Sequence, residues 1–132
     1  MKVLLIEDDR FLRRACEAGL RKQGFDVLTA DDGEEGLRCA REHVPDLILL
    51  DMLMPKLSGI ETLEILKREE RTRGIPVVIL SNTSDQSDRD KARDLGAADY
   101  LVKASLSLQE LGRKITGYLA GGKSADDSGA PS

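Results

Sequence analysis

The chain has 132 residues, of which 40% are hydrophobic and 33% are charged, and its formal net charge is -4 at pH 7. A chain of this length forms one domain whose core is large enough to stand without disulfides, and its acidic balance argues against nonspecific binding to nucleic acids or anionic membranes. No apolar run approaches the roughly 18 residues of a membrane-spanning helix, so we expect a cytoplasmic protein whose partners are proteins or small ions.

Short apolar runs alternate with longer segments of helical periodicity along the chain. The apolar runs predict five strands, at 2–6, 25–30, 46–50, 76–80 and 99–102. The periodic segments predict five helices, at 10–22, 33–42, 58–69, 84–94 and 107–119. Because strands that alternate with helices form βαβ units, we predict a (βα)5 domain of the α/β class, with helices on both faces of a parallel sheet.

The residues beside the predicted helices support these positions. Three helix starts have a capping oxygen three residues before a glutamate, at Asp32, Ser58 and Ser107. Three helix ends are followed by a glycine that would take a left-handed conformation, at Gly24, Gly74 and Gly96.

The composition changes near the end of the sequence. The segment AGGKSADDSGAPS is rich in Gly, Ser, Ala, Asp and Pro and has no periodicity, which is typical of segments that cannot bury enough apolar surface to fold. We therefore predict a domain over 1–120 and a disordered tail or linker stub over 121–132.

Polar side chains follow four of the predicted strands. All strands of a parallel sheet point the same way, so these side chains share its carboxyl edge, where open α/β sheets bind ligands. They are Glu7, Asp8 and Asp9 after the first strand, Asp51 after the third, Ser81 at the end of the fourth and Lys103 after the fifth.

The acidic residues of this edge require a cation, because like charges that lie close repel one another and raise each other's pKa. If the first and third strands are neighbours, Asp8 and Asp51 face each other across a few ångströms. Such a pair suits Mg²⁺, which typically takes one or two carboxylates together with phosphate oxygens. Lys103 adds a second positive charge, and its ammonium group suits a phosphoryl oxygen.

The motifs IEDD, ILLDMLMPKLSG, ILSN and YLVK resemble those of the receiver domains of two-component response regulators, and the likeness extends from residue 1 to about residue 120. The resemblance implies a flavodoxin-like three-layer sandwich with strand order 2-1-3-4-5. It also implies that Asp51 is the phosphoacceptor and that Glu7 and Asp8 are the acid pair around Mg²⁺ or Mn²⁺.

Four further residues take roles by the same resemblance. The backbone carbonyl of Leu53 would be a metal ligand, and Lys103 would bind the phosphoryl group. Ser81 would be the switch hydroxyl and Tyr100 the switch aromatic. Taken singly, each residue also fits an ordinary structural role, and Asp9 fits either the start of the first helix or a direct role at the metal.

The chemistry of these residues predicts an in-line attack by the Asp51 carboxylate that gives an aspartyl phosphate, with the protein supplying position and charge. By resemblance, the donor is a sensor histidine kinase or a histidine phosphotransfer protein. The face formed by the fourth helix, fifth strand and fifth helix would then signal to an effector protein or an output domain, and a phosphorylation-dependent homodimer is also open. We expect no direct binding to nucleic acid and no contact with a membrane.

Three alternative functions fit these residues less well. A haloacid-dehalogenase-like phosphatase would need a second aspartate two residues after its nucleophile, where this chain has Leu53. A flavodoxin-like cofactor binder would need a Gly/Ser/Thr-rich phosphate loop after its first strand, where this chain has acids. A pure docking scaffold would not need Asp8, Asp51 and Lys103. The chain is therefore predicted to be a phosphoacceptor rather than a turnover enzyme, acting alone or as the N-terminal receiver of a larger regulator.

One position departs from the common pattern of the family. The family's lysine is usually followed by a proline through a cis bond, whereas Lys103 is followed by Ala104. A cis bond before a residue other than proline costs about 2.5–4 kcal/mol, so we expect this peptide to be trans.

Overall fold

Parallel strands alternate with α-helices along the computed structural model, which describes residues 1–54 and 56–121. The strands are β1 (Lys2–Ile6), β2 (Asp26–Ala30), β3 (Leu47–Asp51), β4 (Val77–Ser81) and β5 (Asp99–Val102). The helices are α1 (Arg10–Lys22), α2 (Gly33–His43), α3 (Gly59–Arg68), α4 (Gln86–Asp94) and α5 (Leu108–Gly121), and a short 3-10 turn covers Lys103–Ser105. Each predicted strand lies within one residue of an observed one, whereas the 3-10 turn was not predicted.

The five strands form one parallel sheet in the order β2-β1-β3-β4-β5. This order confirms the flavodoxin-like prediction and makes β1 and β3 neighbours. The pairing register places Ile6 beside Leu50 in those two strands. The residues that follow each of them, Glu7 and Asp51, therefore leave the sheet side by side.

The sheet separates two apolar cores, as expected for strands that are buried on both faces. Alternate residues of β1 point in opposite directions: Leu4 and Ile6 pack in the core beneath α2 and α3, while Val3 and Leu5 pack in the core beneath α1 and α5. All four side chains are fully buried. The helices on both faces confirm the predicted three-layer arrangement.

The predicted helix starts are confirmed at all three positions. The Asp32 side chain accepts a hydrogen bond from the backbone N–H of Glu35. Ser58 and Glu61 exchange the two hydrogen bonds of a capping box, and Ser107 and Glu110 do the same.

The predicted helix ends are confirmed at two glycines and wrong at a third. Gly24 and Gly96 have φ values of 99° and 100°, which only glycine adopts without cost. Gly74 has no positive φ, because α3 ends at Arg68 and the chain continues through turns in which the Thr72 hydroxyl donates to the Leu66 carbonyl. α2 instead ends with a left-handed valine, Val44, with a φ of 44°.

The end of α5 lies close to the predicted domain boundary. The helix extends to Gly121, one residue beyond the boundary at 120. The predicted tail from residue 122 onward lies outside the described residues.

Gly59 fixes the position of Asp51 at the end of β3. A Cβ atom at Gly59 would collide with the Asp51 carbonyl oxygen and would lie 2.7 Å from the Met52 Cα. The first turn of α3 can therefore pack against the backbone that carries Asp51 only because residue 59 has no side chain.

Candidate functional site

The register of the sheet brings the predicted site residues to one edge. Asp51 is the last residue of β3 and pairs with Leu80, so the next residue of β4, Ser81, lies beside it. Ser81 in turn pairs with Val102, and Lys103 follows directly. Four strand ends therefore converge at the carboxyl edge, as the sequence predicted.

Lys103 joins two buried carboxylates. Its Nζ donates to Glu7 Oε1 at 2.9 Å and lies 2.9 Å from Asp51 Oδ1. The Glu7 and Asp51 residues are 1% and 5% exposed, and the Lys103 side chain is 16% exposed. This ammonium group supplies one of the cations that the acid cluster requires.

Three carboxylates of this edge form a group that could hold a metal ion. Glu7, Asp8 and Asp51 each offer an oxygen, and these oxygens all lie within 4.8 Å of one another. Glu7 and Asp51 are buried and Asp8 is exposed, so the group opens to solvent on one side. A donor set made only of carboxylate oxygens fits a hard divalent cation.

The site raises the pKa of two of its groups. Burial raises the pKa of Asp51 to about 7; the hydrogen bond from Lys103 opposes this shift, and the neighbouring charge of Glu7 adds to it. Burial by itself would lower the pKa of Lys103, but its hydrogen bonds with Asp51 and Glu7 outweigh that effect and raise it. Lys103 therefore stays positively charged, while Asp51 needs a further cation to be fully ionised at neutral pH.

Asp9 caps α1. Its Oδ1 accepts from the backbone N–H groups of Phe11 and Leu12 at 2.9 and 3.1 Å, and it is not a member of the carboxylate group. Its own N–H donates to Glu7 Oε2 at 3.1 Å. Of the two explanations that the sequence left open, the structure favours the helix start.

The predicted switch residues lie next to the site. Ser81 is buried, and its Oγ accepts from the Thr83 N–H at 3.2 Å. Tyr100 is also buried, and its hydroxyl donates to the Thr83 carbonyl at 2.9 Å. The guanidinium carbon of Arg89 lies 5.0 Å from the centre of the Tyr100 ring, within the range of a cation–π contact.

The loops that follow β3 and β5 carry the remaining predicted features. The Lys103–Ala104 peptide is trans, as expected. The Leu53 side chain is 69% exposed beside the site, and the role of its carbonyl as a metal ligand stays a prediction.

Arg13 is a contributor to the site that sequence reasoning missed. It lies in the first turns of α1, and its guanidinium group donates to the Glu7 carbonyl at 2.8 Å. Its position six residues after Glu7 was visible in the sequence. Only the angle at which α1 leaves β1 shows that the side chain turns back toward the acids.

Comparison with known families agrees with this geometry. The sequence matches the family described as "Response regulator receiver domain" across residues 3–116. The chain belongs to this family. It is a receiver domain of two-component signalling.

Curated relatives of this receiver domain are regulators of transcription. It is 44% identical over 101 residues to the transcriptional regulatory protein AfsQ1 of Streptomyces coelicolor. The aligned region covers 76% of this chain and 44% of AfsQ1. It is 40% identical over 118 residues to the probable transcriptional regulator ycf27 of Porphyridium aerugineum. The aligned region covers 89% of this chain and 48% of ycf27. The chain thus spans about half the length of these relatives.

Solved structures of receiver domains superpose on this one over nearly their whole length. The receiver domain of the Francisella response regulator 1452 has a TM-score of 0.85 at 30% identity and covers 92% of this chain and 98% of its own. The chemotaxis protein CheY4 of Vibrio cholerae has a TM-score of 0.82 at 26% identity and covers 87% of this chain and 95% of its own. Among the described residues of the receiver domain, no helix is both long and apolar enough to cross a membrane.

Proposed function

We propose that Asp51 of this receiver domain accepts a phosphoryl group from a phosphohistidine. An oxygen of the Asp51 carboxylate attacks the phosphorus in line with the bond to the imidazole. The new O–P bond forms as the P–N bond breaks, and the electron pair stays on the imidazole nitrogen, which then takes up a proton from solvent. The product is an aspartyl phosphate.

The observation that carries this proposal is the position of Lys103. Its Nζ lies 2.9 Å from an Asp51 oxygen and is held there by the buried Glu7 carboxylate. An ammonium group so close to the attacking carboxylate can bind an oxygen of the arriving phosphoryl group without rearrangement of the site. Glu7, in this view, orients Lys103 as well as contributing to the metal site.

The carboxylates are proposed to bind Mg²⁺, or Mn²⁺ in its place. Glu7, Asp8 and Asp51 would hold the ion, with the Leu53 carbonyl as a further ligand. When bound, the ion supplies positive charge to the phosphoryl oxygens. The Ser81 hydroxyl would donate to the new phosphoryl group, and its oxygen can keep accepting from the Thr83 N–H.

The output is proposed to be a change of the face formed by α4, β5 and α5, with Tyr100 as the side chain that reports the state of Ser81. An effector protein, an output domain or a second copy of the chain would bind this face. The chain would act in the cytoplasm as a phosphoacceptor and not as an enzyme that turns over a substrate. The length of its relatives favours the N-terminal receiver of a larger regulator over a regulator that acts alone.

Phosphorylation by a small donor tests the proposal. With Mg²⁺ and acetyl phosphate, we expect the wild type to gain one phosphoryl group by intact mass, and Asp51→Asn to gain none. Asp94→Asn, which alters an exposed aspartate in α4, serves as the matched control and should be labelled like the wild type. Equal labelling of wild type and Asp51→Asn would contradict the assignment.

A further inference from the structure

Arg13 connects the acidic turn after β1 to the loop after β2. Its Nη1 donates to the Glu7 carbonyl at 2.8 Å and lies 3.5 Å from the Asp8 carbonyl. The same atom is 3.3 Å from Asp31 Oδ1. The Arg13 side chain is 15% exposed, so it is packed between these segments rather than solvated.

The turn that Arg13 contacts carries two of the three carboxylates of the candidate metal group. The turn lies between the end of β1 at Ile6 and the start of α1 at Arg10. The Glu7 N–H still donates to the Ala30 carbonyl at 3.1 Å, and Arg13 holds the carbonyl side of the same residue. Mutual repulsion of the carboxylates favours their separation. A donor on the carbonyls opposes this by fixing the peptide planes from which Glu7 and Asp8 project.

The charge and the geometry of Arg13 have opposite effects on a bound cation. A guanidinium group near a metal site repels the metal, so charge alone would weaken binding. Asp31 compensates this charge at 3.3 Å, and screening by solvent reduces what remains. The hydrogen bond to the Glu7 carbonyl has no such compensation, so the geometric effect should dominate.

We propose that Arg13 is a positioning residue that holds the Glu7–Asp8 turn in the conformation that binds a divalent cation. The proposal rests on the proposed function, since it concerns the same metal site. Arg13 touches neither the metal nor the phosphoryl group. It acts through the backbone of the residues that do, as hydrogen-bonded partners of metal ligands do in other metal sites.

Titration with Mn²⁺ tests the proposal, with free Mn²⁺ followed by electron paramagnetic resonance. We expect Arg13→Gln to raise the Kd about tenfold, the lower end of the range for outer partners of metal ligands. Arg14→Gln removes the same charge from the next residue of α1, which is exposed, and should leave the Kd unchanged. Binding by Arg13→Gln as tight as that of the wild type, or tighter, would overturn the proposal.

Two further measurements separate positioning from folding. Thermal unfolding in EDTA shows whether each variant is folded before metal is added. If Arg13→Gln is not folded, Arg13→Lys replaces it, because lysine keeps the charge but loses the planar group that reaches the Glu7 and Asp8 carbonyls and Asp31 together. A raised Kd for this variant supports the proposal, and an unchanged Kd overturns it.

The dependence of phosphorylation on Mg²⁺ distinguishes this proposal from the proposed function. Labelling of Arg13→Gln by acetyl phosphate should need about tenfold more Mg²⁺ for half its final extent and should reach the wild-type extent at saturation. If the wild type itself gains no phosphoryl group at any Mg²⁺ concentration, the proposed function fails. If the wild type is labelled and the two Mg²⁺ curves coincide, only the role of Arg13 fails.

Discussion

Asp8 and Asp9 have the same side chain in adjacent positions and make different contacts. Asp8 belongs to the carboxylate group and is open to solvent, whereas Asp9 is bound to the N–H groups of α1. The third acid of the run is therefore a helix cap. The sequence could not make this distinction, because an aspartate before a helix suits either role.

These contacts predict different effects of the two alanine substitutions. Asp8→Ala should weaken Mg²⁺ binding at least about tenfold, because it removes a direct or water-bridged ligand. Asp9→Ala should leave Mg²⁺ binding nearly unchanged and lower the free energy of unfolding by about 1 kcal/mol through loss of the cap. Calorimetric titration and urea unfolding of both variants measure the two effects. If Asp9→Ala lost Mg²⁺ binding and Asp8→Ala kept it, the metal ligand would be Asp9 rather than Asp8.

Leu53 and Thr83 follow Asp51 and Ser81 by two residues, and resemblance to receiver domains implies that side chains at these two positions flank the approach of water to the phosphorylated aspartate. Leu53 is exposed and apolar, and the Thr83 hydroxyl already accepts from the Asp85 N–H at 3.0 Å. Leucine can neither donate nor accept a hydrogen bond, and the short Thr83 hydroxyl carries no charge, so we expect neither side chain to act as an acid–base group for a water molecule in line with an Asp51–phosphorus bond. The alternative, that Leu53 only packs on its loop, predicts that Leu53→Asn leaves the rate of dephosphorylation unchanged.

We predict slow loss of the phosphoryl group from the wild type. Leu53→Asn and Thr83→Glu should each speed this loss by about tenfold, below the usual effect of about 100-fold or more for a well-placed acid–base group. The measurement is the decay of the phosphoprotein in Mg²⁺ after the donor has been removed. Rapid decay of the wild type, unaffected by either substitution, would show that these positions do not control the water.

Single residues were predicted where a strand end and a chemical requirement coincide. Asp51, Ser81 and Lys103 follow apolar runs directly, so the sequence alone indicated that they share an edge. Arg13 and Arg89 lie inside helices that have many other charged residues. Their contacts depend on how α1 and α4 pack on the sheet, which the sequence pattern does not give.

The junction between β3 and α3 depends on the missing side chain of Gly59. A Cβ atom there would collide with the backbone of Asp51 and Met52 rather than with a side chain that could move away. In contrast, a Cβ atom at Gly117 in α5 would meet no atom within 4 Å in the described part of the chain, apart from the backbone of its own helix. The two glycines thus differ in what an added methyl group would meet.

Alanine at these two positions should change stability in opposite directions. Gly59→Ala should lower the free energy of unfolding by about 1–3 kcal/mol, as overpacking of a rigid site does, and should also slow phosphorylation because Asp51 is displaced. Gly117→Ala should raise the free energy of unfolding by about 0.5–1 kcal/mol, because alanine is the better helix former. Urea unfolding of both variants checks the prediction, and a neutral Gly59→Ala would show that α3 can shift at little cost.

The helices and strands followed the sequence pattern closely, and the differences have local causes. Helix starts were predicted well because Asp32, Ser58 and Ser107 act within one turn of the chain. The left-handed conformation predicted for Gly74 was wrong, because the buried hydrogen bond between Thr72 and Leu66 closes that turn, although α3 itself ends within one residue of the prediction. The left-handed Val44 shows the same limit, since a valine gives no sequence signal for that conformation.

The overall architecture was predicted from the alternation of strands and helices, which indicates a parallel sheet covered by helices. Its strand order did not follow from that alternation. The order came from resemblance to a family, and the register beside β3 confirms it. The positions of the site residues were therefore more certain along each strand than between strands.

The buried Asp51 should make the stability of the metal-free protein depend on pH. Its pKa in the folded protein, about 7, lies above the ordinary value of 3.8, so the folded state binds more protons over that interval. Stability therefore falls as the pH rises from about 4 to about 7. A neutral side chain at this position removes the effect.

We expect Asp51→Asn to be more stable than the wild type in EDTA, and by a greater margin at pH 8 than at pH 5. The two margins should differ by more than about 1 kcal/mol, which is close to the value of one pKa unit. Chemical unfolding at the two pH values measures them, with Asp94→Asn as a control that should show no such difference. Equal margins at both pH values would mean that Asp51 is not the group that titrates.

Lys103 is shared between Glu7 and Asp51, and this has a consequence for phosphorylation. The ammonium group contacts two of the three carboxylates of the candidate metal group, so one positive charge stands against three acidic side chains where the proposed phosphoryl group would arrive. A divalent cation cancels that excess. If the proposed function holds, phosphorylation would require two inputs together: the phosphoryl donor as the variable input and a divalent cation as the constant one. Chelation would erase the response while leaving the donor and the receiver domain intact.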